Sequence, residues 1–235
     1  MNAISPGLNV AAAARAAIRL PWPSLLGPLA VADAEVLDEL GRTRSVPEGR
    51  SIFERGTPAR SLVGLIEGQA ACGWNQPERG LSAERVLHGP AWLALGDPLG
   101  DGQHRSDAVA QSAVQLVELP VEPLRSAVLR HPLLGLRLID ALAREVGRLD
   151  GRLHELMHKD AGSRLAAWLC AQAEGRTQGV LRLSERKRDI ASQLGMTPET
   201  LSRMMRSLSE RGLIAVSGYT VRVLDPRGLQ GLAEA

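Results

Sequence analysis

The sequence predicts an α+β protein in which an antiparallel β-roll, a long helix and a winged helix-turn-helix follow one another. Three observations predict this order. Short apolar runs separated by Gly and Pro fill residues 42–120, an apolar heptad covers 139–156, and two short helical patterns flank a glycine within 187–206. The 235 residues are enough for two domains with ordinary cores.

The N-terminal residues 1–30 are predicted to form an irregular arm, because four prolines interrupt a stretch rich in Ala and Leu. The next segment, 33–41, has the pattern of a short helix. Asp33 is its expected N-cap and Gly41 its expected stop.

Residues 31–130 are predicted to form the β-roll. Its short apolar runs are typical of a small antiparallel sandwich or roll, and glycines fall where turns are expected. The predicted turns contain Gly49, Gly56 and Gly68.

A long helix over residues 131–159 is predicted to form a parallel dimer. Its apolar residues are spaced 3, 4, 3, 4, 3, with the first, third and fifth at a positions. The alternative is a helix buried within its own monomer. Because the seam holds no charged residue, we expect the dimer to form without a ligand. The seam consists of Ile139, Leu142, Val146, Leu149, Leu153 and Leu156, and a second row expected to pack on the β-roll consists of Leu134, Leu138, Ala141 and Met157.

The C-terminal residues 160–235 are predicted to form a DNA-binding domain. Ile190 and Leu194 share one face of a first helix, and Gly195 lies where the chain must turn. Thr197 is a good N-cap for a second helix. The inner side of that helix is Leu201, Met204, Met205 and Leu208, and its outer side is Glu199, Ser202, Arg203 and Arg206. Two packed helices of an unrelated small domain are the alternative.

The sequence ETLSR at 199–203 resembles the recognition helix of the CRP/FNR family of bacterial transcription regulators, and of its FNR-like branch in particular. The segment 212–225 is similar to the family's wing, with Ser217 and Gly218 at the turn. The resemblance implies that the β-roll of residues 31–130 is a cyclic-nucleotide-binding-like sensor domain. It also implies a homodimer that binds an inverted repeat of TTGAT-like half-sites, and contact with RNA polymerase if the protein is an activator.

Three outer-face residues are the expected base-reading residues. Arg203 is expected to donate two hydrogen bonds to a guanine, Glu199 to accept from a cytosine or adenine amino group, and Ser202 to contact a neighbouring base. The expected phosphate contacts, which position the protein without specifying sequence, are Lys187, Arg188, Thr197 and Arg206.

The sequence argues against two effectors that the resemblance suggests, cyclic AMP and an iron–sulfur cluster. By the resemblance, cyclic-nucleotide members carry a glutamate that this chain replaces with Pro90 and Ala91. Arg105 is retained, but Asp107 is expected to repel a phosphate, which argues against cyclic AMP. FNR-like sensors hold an iron–sulfur cluster with four cysteines, and this chain has two.

Two alternatives remain. His88 or His104 could be the ligand of a haem iron, or the regulator could have no ligand. A regulator of the same family that senses another small ligand is also an alternative. In a further alternative, the helix-turn-helix would serve protein contact only.

The motif HELMH at 154–158 matches the zinc-protease pattern His-Glu-x-x-His. The two histidines fall on the outer side of the heptad, toward solvent, and no third ligand follows in the sequence. A zinc hydrolase is therefore an unfavoured alternative, no metal site is assigned, and we expect a protein without enzymatic activity.

The bulk properties exclude several other classes. The net charge of +2 is too small to indicate a nucleic-acid-binding surface over the whole protein. The prediction of DNA binding therefore depends on local arginines and lysines. An aromatic content of 3% argues against single-strand binding by base stacking. The two cysteines lie far apart and fit a reducing cytosol. The sequence also shows no long apolar run and no signal peptide, so we expect a cytoplasmic protein without membrane contact.

Overall fold

A computed structural model describes residues 20–76, 78, 80–173, 179–183 and 185–234. The first helices are α1 (Trp22–Leu26) and α2 (Val31–Leu40). Trp22, Leu25 and Leu26 are buried in the core, and the Trp22 indole donates to Asp38 Oδ1 at 2.7 Å. The predicted irregular arm is therefore wrong from residue 22 onward, because burying these apolar side chains outweighs the disruption by proline. Its first 19 residues lie outside the described residues.

Helix α2 begins earlier than the sequence indicates. Its N-cap is Ala30, so the prediction of Asp33 as the cap is wrong. Asp33 lies in the first turn and is buried, and its Oδ1 is 3.2 Å from Nδ1 of His131. Gly41 ends the helix as predicted.

Eight strands form the predicted antiparallel β-roll. They lie in two four-stranded sheets, ordered β1-β8-β3-β6 and β2-β7-β4-β5, and a 3₁₀ turn at Asp97–Leu99 follows β6. Gly49, Gly56 and Gly68 all have positive φ, as the predicted turns require. The strands are β1 (Arg42–Val46), β2 (Ser51–Phe53), β3 (Ser61–Glu67), β4 (Gln69–Gln76), β5 (Gly80–His88), β6 (Ala91–Ala94), β7 (Asp107–Ala110) and β8 (Val114–Pro120).

The central strand β3 of the first sheet is buried on both faces, which explains why it is almost continuously apolar. Leu65 and Leu116 face the second sheet in one core cluster. Leu62 and Leu119 belong to a second cluster beneath the helices. A strand covered on both sides cannot show the polar-apolar alternation of a half-exposed strand.

Helices α3 (Val121–Arg130) and α4 (Pro132–His158) connect the β-roll to the rest of the chain. One row of α4 packs on the β-roll core through Leu134, Leu138 and Ala141, as predicted. Met157 was expected in the same row and is 69% exposed, so that prediction is wrong. The 27-residue helix is about 40 Å long, and its C-terminal end extends beyond the part of the roll that covers this row.

The C-terminal domain has its own core and a three-stranded sheet, ordered β10-β11-β9. Its elements are α5 (Ala161–Ala173), β9 (Val180–Arg182), α6 (Lys187–Gln193), α7 (Pro198–Glu210), β10 (Ile214–Ser217), β11 (Thr220–Val223) and α8 (Pro226–Ala233). Leu165 and Leu169 of α5 pack in one cluster with residues of α6, α7 and α8. Within the residues described above, no helix is long and apolar enough to cross a membrane.

Candidate nucleic-acid interface

Helices α6 and α7 form the predicted helix-turn-helix. Ile190, Ala191 and Leu194 are buried on the inner side of α6 and its end, and the small Ala191 side chain permits close packing. Between the helices, Gly195 adopts φ +61°, a left-handed conformation that a residue with a Cβ adopts only at a cost. The local sequence therefore specifies both the helices and the turn.

The second helix of the motif, α7, begins at a capped N-terminus. The Thr197 hydroxyl accepts a hydrogen bond from the backbone amide of Thr200 at 3.2 Å, and Pro198 occupies the first turn. Leu201, Met205 and Leu208 are buried beneath the helix, whereas Met204 is half-buried. The cap uses the Thr197 hydroxyl, which was expected to contact a phosphate.

The outer face of α7 is polar and open. The side chains of Glu199, Ser202, Arg203 and Arg206 are exposed, and residues three and four apart on a helix lie side by side. No ion pair occupies Arg203 or Arg206 among the residues that the structure describes. Their guanidinium groups are free to donate to base edges or phosphates.

Glu199 is held in its ionised form. Its own backbone amide and then the Thr197 hydroxyl lower the pKa of the Glu199 carboxyl below its usual range. An ionised carboxylate accepts hydrogen bonds and donates none, which suits a cytosine or adenine amino group rather than a carbonyl.

The predicted basic surface is exposed around the motif. Lys187 makes no ion pair among the described residues, whereas the Arg188 Nε lies 3.5 Å from Asp189 Oδ1, which offsets part of its charge. Seven arginines and lysines cluster around the motif in the sequence, and all of them are exposed: Arg182, Arg186, Lys187, Arg188, Arg203, Arg206 and Arg211.

The wing is a hairpin of β10 and β11, paired from Ile214 with Val223 to Ser217 with Thr220. Its two turn residues are Gly218 and Tyr219, one position later than predicted. Tyr219 is exposed at the tip, and the sequence analysis did not select it.

The turn of the helix-turn-helix is held by two arginines that the sequence analysis missed. Arg152 of α4 donates to the carbonyl of Gln193 at 2.5 Å. Arg164 of α5 donates to the carbonyls of Leu194 at 2.8 Å and Gly195 at 3.4 Å. Three consecutive carbonyls at the end of α6 are thereby satisfied. Arginines spaced this far along the chain carry no local pattern that would reveal the contact.

Replacing Gly195 by alanine is expected to destabilise the C-terminal domain by about 1–3 kcal/mol, because two penalties combine. The residue would adopt a left-handed conformation, and its Cβ would lie 2.6 Å from Leu156 Cδ2. Urea unfolding measures the loss.

Gly218→Ala is the matched control for this prediction. Gly218 has the same φ of +61°, but its Cβ would contact nothing within 4 Å, so only the conformational penalty remains. Equal losses for the two variants would show that the contact with Leu156 has no energetic importance.

A cavity of about 460 Å³ lies between the β-roll and α4. Arg85, Arg105 and Arg152 line it together with Glu84, Asp97 and Glu145, and Arg85 Nη1 is 2.9 Å from Glu145 Oε1. The cavity could hold a small ligand with polar groups.

The expected repulsion by Asp107 is wrong. Its carboxylate oxygens accept from the backbone amides of Arg55 at 3.0 Å and Asn75 at 2.7 Å, and it does not line the cavity. On the short strand β7 the alanines at 108 and 110 face the core, which turns Asp107 to the other side. The carboxylates near Arg105 are Asp97, at 4.0 Å from its Nε, and Asp101, at 3.6 Å from its Nη2.

The two haem candidates are not among the residues that line this cavity. His104 is 7% exposed, and its ring stacks on Phe53 at a centroid distance of 4.0 Å. His88 is exposed on β5 opposite Gln69. Neither histidine lines the cavity, so the residues present there do not fit a haem iron.

The HELMH motif lies at the exposed end of α4. The rings of His154 and His158 are 4.4 Å apart, centroid to centroid, and both residues are exposed. Within the described ranges, no group of three His, Cys, Asp or Glu side chains could hold a metal ion. A catalytic zinc needs three protein ligands in a cleft, and this helix surface does not provide them.

Comparison with known proteins agrees with this geometry. The Crp-like helix-turn-helix domain matches residues 163–232. The chain is 28% identical over 207 residues to the transcriptional activator protein Anr of Pseudomonas protegens, covering 86% of this chain and 84% of the relative. It is also 28% identical over 192 residues to a CRP-like cAMP-activated global transcriptional regulator of Mycobacterium tuberculosis, covering 78% and 84%.

Among solved structures, FixK2 from Bradyrhizobium japonicum has the same fold. It superposes with a TM-score of 0.68 at 21% identity, covering 83% of this chain and 98% of that protein. The named relatives are regulators rather than enzymes. Residues 163–232 thus match a Crp-like helix-turn-helix domain, and the chain is similar over most of its length to transcription regulators.

Proposed function

We propose that this protein is a homodimeric regulator that binds an inverted repeat with TTGAT-like half-sites. One observation carries the proposal: the exposed face of α7 presents Glu199, Ser202 and Arg203 together, over a well-packed and capped helix. This combination offers one strong acceptor and one forked donor to the major groove. By the family resemblance, a Glu-x-x-Ser-Arg helix belongs to the FNR-like branch.

The exposed seam of α4 supports the homodimer. Five of its six residues are between 42% and 64% exposed in the monomer, although they are large and apolar. A contiguous apolar stripe of this kind marks an interface. β-Branched residues at two of the three a positions, with leucine at every d position, favour two parallel strands. The exposed seam residues are Ile139, Val146, Leu149, Leu153 and Leu156.

A parallel dimer would present two recognition helices to successive major grooves on one side of DNA. Lys187, Arg188 and Arg206 are then the phosphate contacts that fix the register, with the backbone around Thr197 close by. We infer that the protein acts in the bacterial cytoplasm, where the chromosome lies, and that it contacts RNA polymerase if it activates transcription.

A quantitative mobility-shift assay at a stated salt concentration tests this proposal. One duplex carries two inverted TTGAT half-sites, and a second has the guanine of each half-site replaced. We expect the first to bind at least about 10³-fold more tightly than unrelated DNA. Equal binding of both duplexes would contradict the proposed half-site. Lack of binding to any duplex would favour a helix-turn-helix that contacts only protein.

A further inference from the structure

The dimerisation helix makes a direct hydrogen bond to the helix-turn-helix. Arg152 of α4 donates through Nη2 to the Gln193 carbonyl, across 41 positions of sequence. It is the one such bond from α4 to the motif among the described residues, since Arg164, which holds the next two carbonyls, belongs to α5 of the C-terminal domain itself. Arg152 therefore joins two units, whereas Arg164 stabilises one.

The guanidinium of Arg152 carries its positive charge in unfavourable surroundings, so its hydrogen bond to Gln193 matters for stability. The guanidinium is half-buried, and burial, followed by the nearby Arg148 and Arg85, lowers the pKa of Arg152 below its usual value. The Gln193 carbonyl lies at the end of α6, where the helix dipole is negative. A charge-assisted hydrogen bond to this carbonyl compensates a cation in an unfavourable place.

Two further contacts hold the same motif. Leu156, one turn after Arg152, packs so closely against the turn that a Cβ on Gly195 would meet its Cδ2 at 2.6 Å. On the side of the β-roll, the hydroxyls of Ser82 in β5 and Ser192 in α6 are 2.9 Å apart. Helix α6 is thus held against both α4 and β5, at defined positions.

We propose that Arg152 is a positioning residue that sets the spacing between the two recognition helices of the dimer, and so the half-site spacing that the protein accepts. The inference rests on the proposed function. Arg152 and Leu156 lie within the heptad segment that is proposed to form the dimer. Their contacts therefore fix the position of each helix-turn-helix relative to the dimer axis. Losing the bond would allow each motif to move while its base contacts stay intact.

The experiment compares inverted repeats that differ only in spacer length by one base pair. One inserted base pair shifts a half-site by about 3.4 Å and rotates it by roughly 35°. The wild type is expected to lose at least about tenfold in affinity on such an insertion. For Arg152→Ala, the same insertion is expected to reduce affinity by less than about threefold, while the base preference within each half-site stays the same. Arg152→Lys, which keeps the positive charge, is expected to restore part of the spacer selectivity.

Arg148→Ala is the matched control, because Arg148 lies one turn away on α4 and pairs with Glu145 rather than with the motif. It should keep the spacer selectivity of the wild type. Unchanged selectivity in Arg152→Ala would overturn the inference. An equal gain in affinity for every spacer would also overturn it, since Arg152 would then hold the motif away from DNA. If the wild type binds no inverted repeat, the proposed function itself fails.

Discussion

Arg203→Ala is expected to weaken binding to the cognate repeat by about 1–3 kcal/mol per half-site, roughly five- to 160-fold. The larger change should be in specificity: preference for one base pair of each half-site should disappear. Arg203 is exposed and has no ion-pair partner among the described residues, so its guanidinium can form two parallel hydrogen bonds with a guanine. Competition with duplexes substituted at each position in turn measures the effect.

Lys187→Ala is the comparison that separates base reading from charge. Lys187 is exposed at the first turn of α6, and it is a phosphate candidate. Its loss should weaken all sequences alike and reduce the salt dependence of binding by about one ion. If Arg203→Ala behaves in the same way, with discrimination intact, Arg203 contacts a phosphate and not a base.

Neither substitution should change folding by more than about 0.5 kcal/mol, since both side chains are exposed and away from the core. Urea unfolding of both variants provides this check, and an altered affinity can then be attributed to the interface.

Local patterns predicted the elements of the site well, because the helix-turn-helix is specified by neighbouring residues. The 3.6-residue periodicity placed Ile190 and Leu201 in the core, and the turn required a glycine at 195. The cap at Thr197 needs only a hydroxyl three residues before an amide. Each of these interactions acts over a few residues, so the sequence alone contains it.

Contacts between distant segments were not predictable in this way. Trp22 looked like part of an irregular arm, but it is buried because the β-roll and Asp38 surround it. Arg152 looked like one of many helix-surface arginines until the fold brought Gln193 to it. Asp107 was expected to repel a bound phosphate, but its carboxylate instead accepts hydrogen bonds from the distant backbone amides of Arg55 and Asn75.

Ile139→Glu with Leu153→Glu is expected to give a monomer at micromolar concentration. Both residues are a positions, so in a parallel dimer each glutamate would face its own copy on the partner helix. Like charges would be desolvated together in an apolar seam, which is strongly unfavourable. In the monomer these side chains are 60% and 55% exposed, so the substitutions should leave the fold of each chain intact.

DNA binding should change in a specific way when the dimer is lost. A dimer engages its second half-site at the high effective concentration set by the first, which adds about 10²- to 10⁴-fold in affinity. The double variant should lose this factor on a complete inverted repeat. Its affinity for a single half-site should equal that of one wild-type protomer. Sedimentation and mobility-shift titrations on both duplexes measure the two effects.

Leu133→Glu is the matched control. Leu133 lies on the same helix and is 63% exposed, but it is outside the heptad. A glutamate there adds the same charge to the same helix without entering the seam, so the dimer and its affinity for the inverted repeat should persist. If the double variant still sediments as a dimer, or if Leu133→Glu dissociates it equally, then the heptad is not the interface. The exposed apolar stripe of α4 would then need another partner.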